Sequence, residues 1–199
     1  MNLEILTALA AFALVSSITP GPNNIMLMSS GVNFGFRRTV PHLLGVALGF
    51  TLMVVLVGIG IMQVFDWFPE SYTVLKVVSV LYLLYLAKKI ATSAIPAANT
   101  APRGGPVTFM QAVLFQWVNP KAWTMAVTAI SVYAPSTSFA AVALVAVIFG
   151  AINLPSVSLW TLLGQPVRSL LTSTTRLRAF NGSMALLLIA SLYPVLWPL

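Results

Sequence analysis

Thr19-Pro20-Gly21-Pro22-Asn23-Asn24 lies inside an otherwise apolar run that begins near Leu3 and ends about Asn33. Pro20 and Pro22 bring no backbone donor, and each disfavours helix at the residue before it. Gly21 between them frees the backbone further. The run therefore reads as two half-helices meeting at an unwound joint. If the run lies in a membrane, the joint falls near mid-depth, where non-helical backbone is tolerated only when buried in protein or lining a cavity. The pattern recurs at Trp117-Val118-Asn119-Pro120-Lys121, in the middle of the apolar run Val107 to Ala134. Two interrupted hydrophobic segments at matching places in two halves of a chain point to the binding site of a transporter.

Composition sets the solvent. Of 199 residues, 59% are hydrophobic and 7% charged, with a mean hydropathy of +0.96. Soluble domains carry about 25% charged residues, so this chain lacks the polar surface to face water on all sides. A net charge of +7 would suggest nucleic acid in a soluble protein; here the basic residues sit mostly between apolar runs and read as cytoplasmic loops, with no nucleic-acid partner expected. No Cys is present, which excludes disulfides, thiolate chemistry and cysteine-ligated metal. Glu4 and the absence of Lys or Arg before the first apolar run argue against a signal peptide, so the first helix is expected to be retained.

Outward from the two joints, the hydropathy fits six spans. The first is the broken Leu3 to Asn33, followed by the basic turn Gly35-Phe36-Arg37-Arg38. Val40 to Val64 would be about 38 Å long as a helix, enough to cross with some tilt. Asp66-Trp67-Phe68-Pro69-Glu70 makes an acidic aromatic turn, and Ser71 to Ala87 a third span containing Lys76 and ended by Lys88-Lys89. After a Pro-, Ala- and Gly-rich loop, Ala94 to Pro106, come the broken Val107 to Ala134, a fifth span from Ser138 to about Leu163, a basic loop with Arg168, Arg176 and Arg178, and a last span from Ala179 to Leu199. Arg37, Arg38, Lys88, Lys89, Arg103, Arg168, Arg176 and Arg178 thus occupy alternate loops, and the other loops carry no Lys or Arg. That alternation places the basic loops in the cytoplasm and both termini outside, with Trp67 and Trp197 at the outer interface. A first span that re-entered instead of crossing would put the N-terminus inside.

The expected fold is an all-α integral membrane protein of six transmembrane helices, in a single membrane domain over residues 1–199. Three spans per half require the halves to insert in opposite senses, giving two inverted three-helix repeats. The repeats cover about residues 1–93 and 107–199, with a linker over 94–106, and helices 1 and 4 are broken at mid-membrane. Gly45 and Gly49 form a small-xxx-small face that suits close helix packing and also arises by chance in Gly-rich membrane helices.

Lys121 follows the second joint in the centre of its span, and a lysine there needs a partner or a cavity, since insertion costs at least about 2.5–3.5 kcal/mol. It is read either as a substrate-binding group or as a lysine tied to backbone carbonyls. Thr124, Thr128 and Ser131 extend a polar stripe from it at helical spacing. Asn23, Asn24 and Asn119 could bind substrate or simply serve the joints. Each joint exposes the N-terminus of a second half-helix, near Asn23 and near Ala122, with unpaired N–H groups and partial positive charge. Two such ends beside Lys121 suit a carboxylate. The substrate-binding set is therefore Pro20, Gly21, Pro22, Asn23, Asn24, Asn119, Pro120 and Lys121. Trp117 and Trp123 wall the cavity or pack against lipid and neighbouring helices. His42, the single histidine, sits at the cytoplasmic start of the second span and reads as interfacial, or as a proton carrier. Asn153 is read as satisfying backbone freed by Pro155. No HExxH, paired intramembrane carboxylate or GxxxxGK[ST] loop is present. Catalytic residues, metal site and cofactor are expected to be none. A Ser–Lys hydrolase using Lys121 is the enzymatic alternative, and a passive channel or facilitator the non-enzymatic one.

Ile18-Thr19-Pro20-Gly21-Pro22-Asn23-Asn24, with Gly31 and Gly35-Phe36-Arg37, resembles the N-terminal signature of the bacterial LysE/RhtB amino-acid exporters. Phe115-Gln116-Trp117-Val118-Asn119-Pro120-Lys121-Ala122 resembles that family's second motif, and Leu86-Ala87-Lys88-Lys89-Ile90-Ala91-Thr92 its third-span ending. The resemblance covers essentially the whole chain. It implies a multi-pass protein of the bacterial inner membrane that exports amino acids or close derivatives by proton-coupled antiport, its partners being substrate, protons and lipid. It leaves a homo-oligomer open. Some family members that export basic amino acids carry an acidic residue in the second span. Here that neighbourhood, Gly45-Val46-Ala47-Leu48-Gly49-Phe50-Thr51, has no carboxylate. The departure favours a neutral substrate such as homoserine, threonine, cysteine, O-acetylserine or a branched-chain residue.

Overall fold

The computed structural model describes residues 2–68, 70–93, 105–136 and 138–193. The described residues form nine helices and no strand. Asn2 caps the first, α1 (Leu3–Ile18), by accepting from the Ile5 N–H at 2.9 Å. Pro20 cannot continue that helix, and Pro22, with its φ already set, opens α2 (Pro22–Phe34), so the pair is bent by 55° at the break. Gly35, at φ 77°, turns the chain directly into α3 (Phe36–Gly58). α4 (Gln63–Trp67) and α5 (Glu70–Ala91) follow. A Thr108/Gln111 capping box starts α6 (Phe109–Val118), and Asn119-Pro120 ends it and opens α7 (Pro120–Tyr133). Ser138 caps α8 (Phe139–Leu170), and Ser173 caps α9 (Thr174–Ala190).

Several boundaries differ from the sequence reading. Arg37 and Arg38 belong to the first turn of α3, because a single glycine suffices for the turn. α3 ends at Gly58, short of the expected Val64, and Lys88-Lys89 lie inside α5, which runs to Ala91. The basic loop before the last helix shrinks to residues 171–173. Arg168 occupies the last turn of α8 and Arg176 the first of α9, where Ser173 accepts its N–H at 3.2 Å. Pro155 and Pro166 do not stop α8, which continues over 32 residues, about 48 Å. Of the expected loop over 94–106, residues 94–104 with Arg103 lie outside the described residues, as does the end of the last span with Trp197.

Polarity is turned inside out relative to a soluble protein. Leu48 (56% exposed), Leu81 (63%) and Val147 (63%) represent an apolar exterior on α3, α5 and α8. Asn33, His42, Gln116, Asn119, Asn153 and Asn181 are buried. Lipid outside and polar groups gathered inside give that arrangement. By length and apolarity, α3 and α8 can each cross a membrane, and the bent α1–α2 pair counts as a third span if taken as one.

The packing is reciprocal. α1–α2 runs alongside α8: Phe12 stacks edge-on against Phe149, Ser17 meets Asn153, and added Cβ atoms at Gly31 or Gly164 would strike the backbone of the partner helix. α3 runs alongside α6–α7 in the same way. A Cβ at Gly45 would lie 2.7 Å from the Ala112 methyl, and one at Gly49 would lie 2.9 Å from Val113 Cα. The Gly45/Gly49 face is thus a packing face against α6. α5 and α9 pack on each other at the side. Two apolar clusters, around Leu86, Phe115 and Leu188 and around Leu9, Phe50 and Phe149, lie on either side of the breaks.

Candidate functional site

The two breaks, far apart in sequence, meet in space. α1 ends with carbonyls that no helical N–H can reach, and side chains from other elements take them up. Asn24 Nδ2 donates to Ser17 O at 2.8 Å and to Thr19 O at 2.9 Å. Trp160 Nε1, from α8, donates to Ile18 O at 3.1 Å. Lys121 Nζ, from the second break, donates to Thr19 O at 2.6 Å and to Pro20 O at 3.5 Å. Lys121 is therefore tied to backbone carbonyls, and those carbonyls belong to the opposite break. Gly21 makes the approach possible: a Cβ there would lie 2.8 Å from Lys121 Cδ and 3.2 Å from its Nζ.

A second cross-link joins the breaks through amides. Asn23 Nδ2 donates to Gln116 Oε1 at 2.8 Å, and Gln116 Nε2 returns a bond to Asn23 Oδ1 at 3.2 Å. Gln116 is 0% exposed and also donates to Ala112 O, so its amide is held from both ends.

The two half-helix N-termini are not equivalent. Asn119 Oδ1 accepts the Lys121 N–H at 3.2 Å and caps α7 with its own side chain. Gly21 has no side chain to offer, and α2 begins without a side-chain cap. Pro22 has no N–H and that of Ile25 bonds Gly21 O at 3.0 Å, so the N–H groups of Asn23 and Asn24, at the positive dipole end near Lys121, have no side-chain cap. The sequence reading expected two exposed half-helix N-termini; of the two, that of α7 carries a side-chain cap and that of α2 does not.

Between the breaks is a cavity of about 20 Å³, lined by Gly21, Asn23, Asn24, Asn119, Lys121 and Asn153 among others. That volume holds roughly one water. Of the expected residues, Pro20, Pro22 and Pro120 do not line it, and Pro120 faces a separate groove of about 580 Å³ beside α5. Thr124 and Thr128 face that groove too, so the polar stripe does not extend the cavity. Thr124 Oγ1 and Ser131 Oγ donate to the carbonyls four residues back, Pro120 O and Val127 O. Trp123 Nε1 donates to Trp117 O at 2.8 Å, and the two rings pack edge to face on the same side.

One reading is sharpened here and one corrected. His42 stays near the start of α3 as read, but it is buried within the helix packing: it is 0% exposed, neither ring nitrogen has a hydrogen-bond partner, and it does not line the cavity. Asn153 does not repair the α8 backbone; its Nδ2 donates to Ser17 Oγ at 3.0 Å, across to α1. Gln116, Asn153 and Trp160 were not among the residues singled out for the site. Gln116 and Asn153 each carried a usable signal, a carboxamide within a long apolar run.

The LysE type translocator family model matches residues 14–191. The cysteine/O-acetylserine efflux protein of Salmonella typhimurium is 39% identical over 136 residues, 67% of each chain. Those of Escherichia coli and Shigella sonnei are 36% identical over 136 residues, again 67% of each chain. No solved structure matches. The broken apolar helices, their buried polar meeting point and the family match over most of the chain together place this protein in the LysE-type translocator family, as a transporter and not an enzyme.

Proposed function

We propose that the chain exports a small neutral amino acid or close derivative, of the cysteine/O-acetylserine kind, across the bacterial inner membrane in exchange for protons. The observation that carries the reading is the uncapped N-terminus of α2 with the Lys121 ammonium beside it, at a cavity between two helix breaks. A substrate carboxylate would accept from the first-turn N–H groups of α2 and draw the lysine from Thr19 O. Gly21, Asn23, Asn24, Asn119 and Lys121 would contact substrate, and Pro20, Pro22 and Pro120 would hold the joints open. The similarity to cysteine/O-acetylserine efflux proteins supports the substrate class, and the absence of Asp or Glu in α3 supports neutrality.

A site for a drug-sized small molecule spans about 300 Å³ or more, against about 20 Å³ here, and even a small amino acid needs more room than one water. Admitting substrate therefore requires the breaks to separate, which means loosening the Lys121–Thr19 and Asn23–Gln116 links together. Alternating access follows if the links open toward one side at a time. The reciprocal packing of α1–α2 on α8 and α3 on α6–α7 supports two inverted repeats, residues 1–93 and 107–199 joined by 94–106, rocking about this layer. The basic helix ends at Arg37, Lys88, Arg168 and Arg176 support a cytoplasmic placement of that end, with the Glu4 end outside.

The test is transport in inside-out vesicles from expressing cells, with labelled L-cysteine and O-acetyl-L-serine and an imposed proton gradient. Accumulation that collapses with the gradient is expected. Uptake that only equilibrates, gradient or none, would make the protein a passive facilitator. No movement of any amino acid in a broad panel would overturn the reading.

A further inference from the structure

Asn153 contributes an atom that the carboxylate reading leaves without a use. The residue is 4% exposed, about halfway along α8, and lines the cavity that holds Gly21, Asn24 and Lys121. Its Nδ2 donates to Ser17 Oγ at 3.0 Å, and Ser17 lines the same cavity. Asn153 Oδ1 is buried and has no hydrogen-bond partner. A buried amide carbonyl without a donor costs about 1–3 kcal/mol, and such a group in a transporter core calls for an explanation.

The remainder of the cavity is rich in donors: the uncapped N–H groups of α2 and the Lys121 ammonium. An acceptor and a set of donors on the walls of one small cavity match the two ends of a zwitterion, whose ammonium and carboxylate share one carbon. We propose that Asn153 Oδ1 accepts a hydrogen bond from the substrate's α-ammonium, so that the site selects free α-amino acids against acids whose nitrogen is acylated or missing. This rests on the reading that the carboxylate binds at the α2 N-terminus. A neutral acceptor suits the task in this chain. An aspartate at 153 would attract Lys121 across the cavity, whereas the amide accepts from the ammonium without competing for the lysine.

A pair of isomers tests the assignment. O-acetyl-L-serine and N-acetyl-L-serine contain the same atoms, but only the first keeps its ammonium; a mildly acidic buffer slows the acyl shift between them. L-cysteine and 3-mercaptopropionate form a second pair, with and without the amine. In inside-out vesicles carrying the full chain, the amine-bearing member of each pair is expected to be transported with a half-saturation on the order of 10- to 100-fold lower. Asn153→Leu, of similar size and without an acceptor, is expected to bring the members of each pair to within a few-fold. Asn153→Gln keeps a neutral amide acceptor and is expected to keep the preference. Equal handling of both isomers by the wild-type chain overturns the assignment, even if Asn153→Leu fails to accumulate. An undiminished preference in Asn153→Leu overturns it as well. In either case the carboxylate reading stands as long as export itself persists. If the wild-type chain moves no member of either pair, that reading fails and this one with it.

Discussion

Gly21→Ala is a clean perturbation of the candidate site, because the backbone at Gly21 (φ −172°, ψ 176°) is extended and open to any residue. The added methyl would sit 2.8 Å from Lys121 Cδ and 3.2 Å from Nζ. A lysine tail is flexible, so it moves aside and its bond to Thr19 O at 2.6 Å is lost. The Thr19 carbonyl keeps its bond from Asn24 Nδ2 at 2.9 Å, so little of the loss appears as unfolding. A charge-assisted hydrogen bond contributes about 1.5–3 kcal/mol, and the partial exposure of the lysine favours the lower end. If Lys121 also steadies the substrate carboxylate, displacement should raise the half-saturation for export about tenfold, the equivalent of about 1.4 kcal/mol. The assay is a double-mutant cycle in vesicles with Lys121→Met. Acting through the lysine alone, the alanine should add nothing further to the Lys121→Met defect. Multiplying defects, or wild-type export by Gly21→Ala, would refute the proposed coupling of glycine and lysine.

The remaining predictions address the joint, the charge and the topology. Lys121→Arg should retain substrate exchange and lose net proton-driven export if the lysine carries the proton, whereas Lys121→Gln should bind substrate poorly if the charge is a fixed counter-ion; normal export by both, in paired exchange and gradient assays, would remove Lys121 from the mechanism. Pro20→Ala together with Pro22→Ala should let α1 and α2 run as one helix, abolishing export while membrane insertion, followed by immunoblot, stays intact. Since the chain has no native cysteine, Thr175→Cys and Ser136→Cys each supply a unique thiol on an exposed residue. An impermeant maleimide added to intact cells should label position 136 and spare 175, and equal labelling would reverse or scramble the assignment.

The breaks were legible in the sequence because proline acts there together with a neighbour that resists helix: Pro20 and Pro22 flank Gly21, and Asn119 precedes Pro120, whereas Pro155 and Pro166 without such neighbours leave α8 continuous. The unequal ends were legible in principle too, since Asn119 can cap the proline-led helix that follows it and Gly21 cannot. The Thr124–Thr128 stripe misled because helical spacing assigns Cα positions to a face but leaves out reach. A side chain near a helix N-terminus leans back toward that end, so Lys121 extends over the break while Thr124 and Thr128 face α5. Asn153 with Ser17, and Trp160 with Ile18, depend on how α8 lies against α1, which no local pattern encodes. The burial of His42 was hidden for the same reason: its position near a helix start was legible, and the packing of neighbouring helices that covers it was not.

The wiring of the first break has a consequence for how the protein is made. Asn24 reaches Ser17 O and Thr19 O from nearby in the chain, whereas Ile18 O waits for Trp160 and Pro20 O for Lys121. At about 5–20 residues per second, the ribosome needs on the order of ten seconds to go from α1 to Trp160. Throughout that interval the nascent first half holds an unfinished polar seam. The first break is therefore completed only by residues made long after it, so its assembly lags its synthesis.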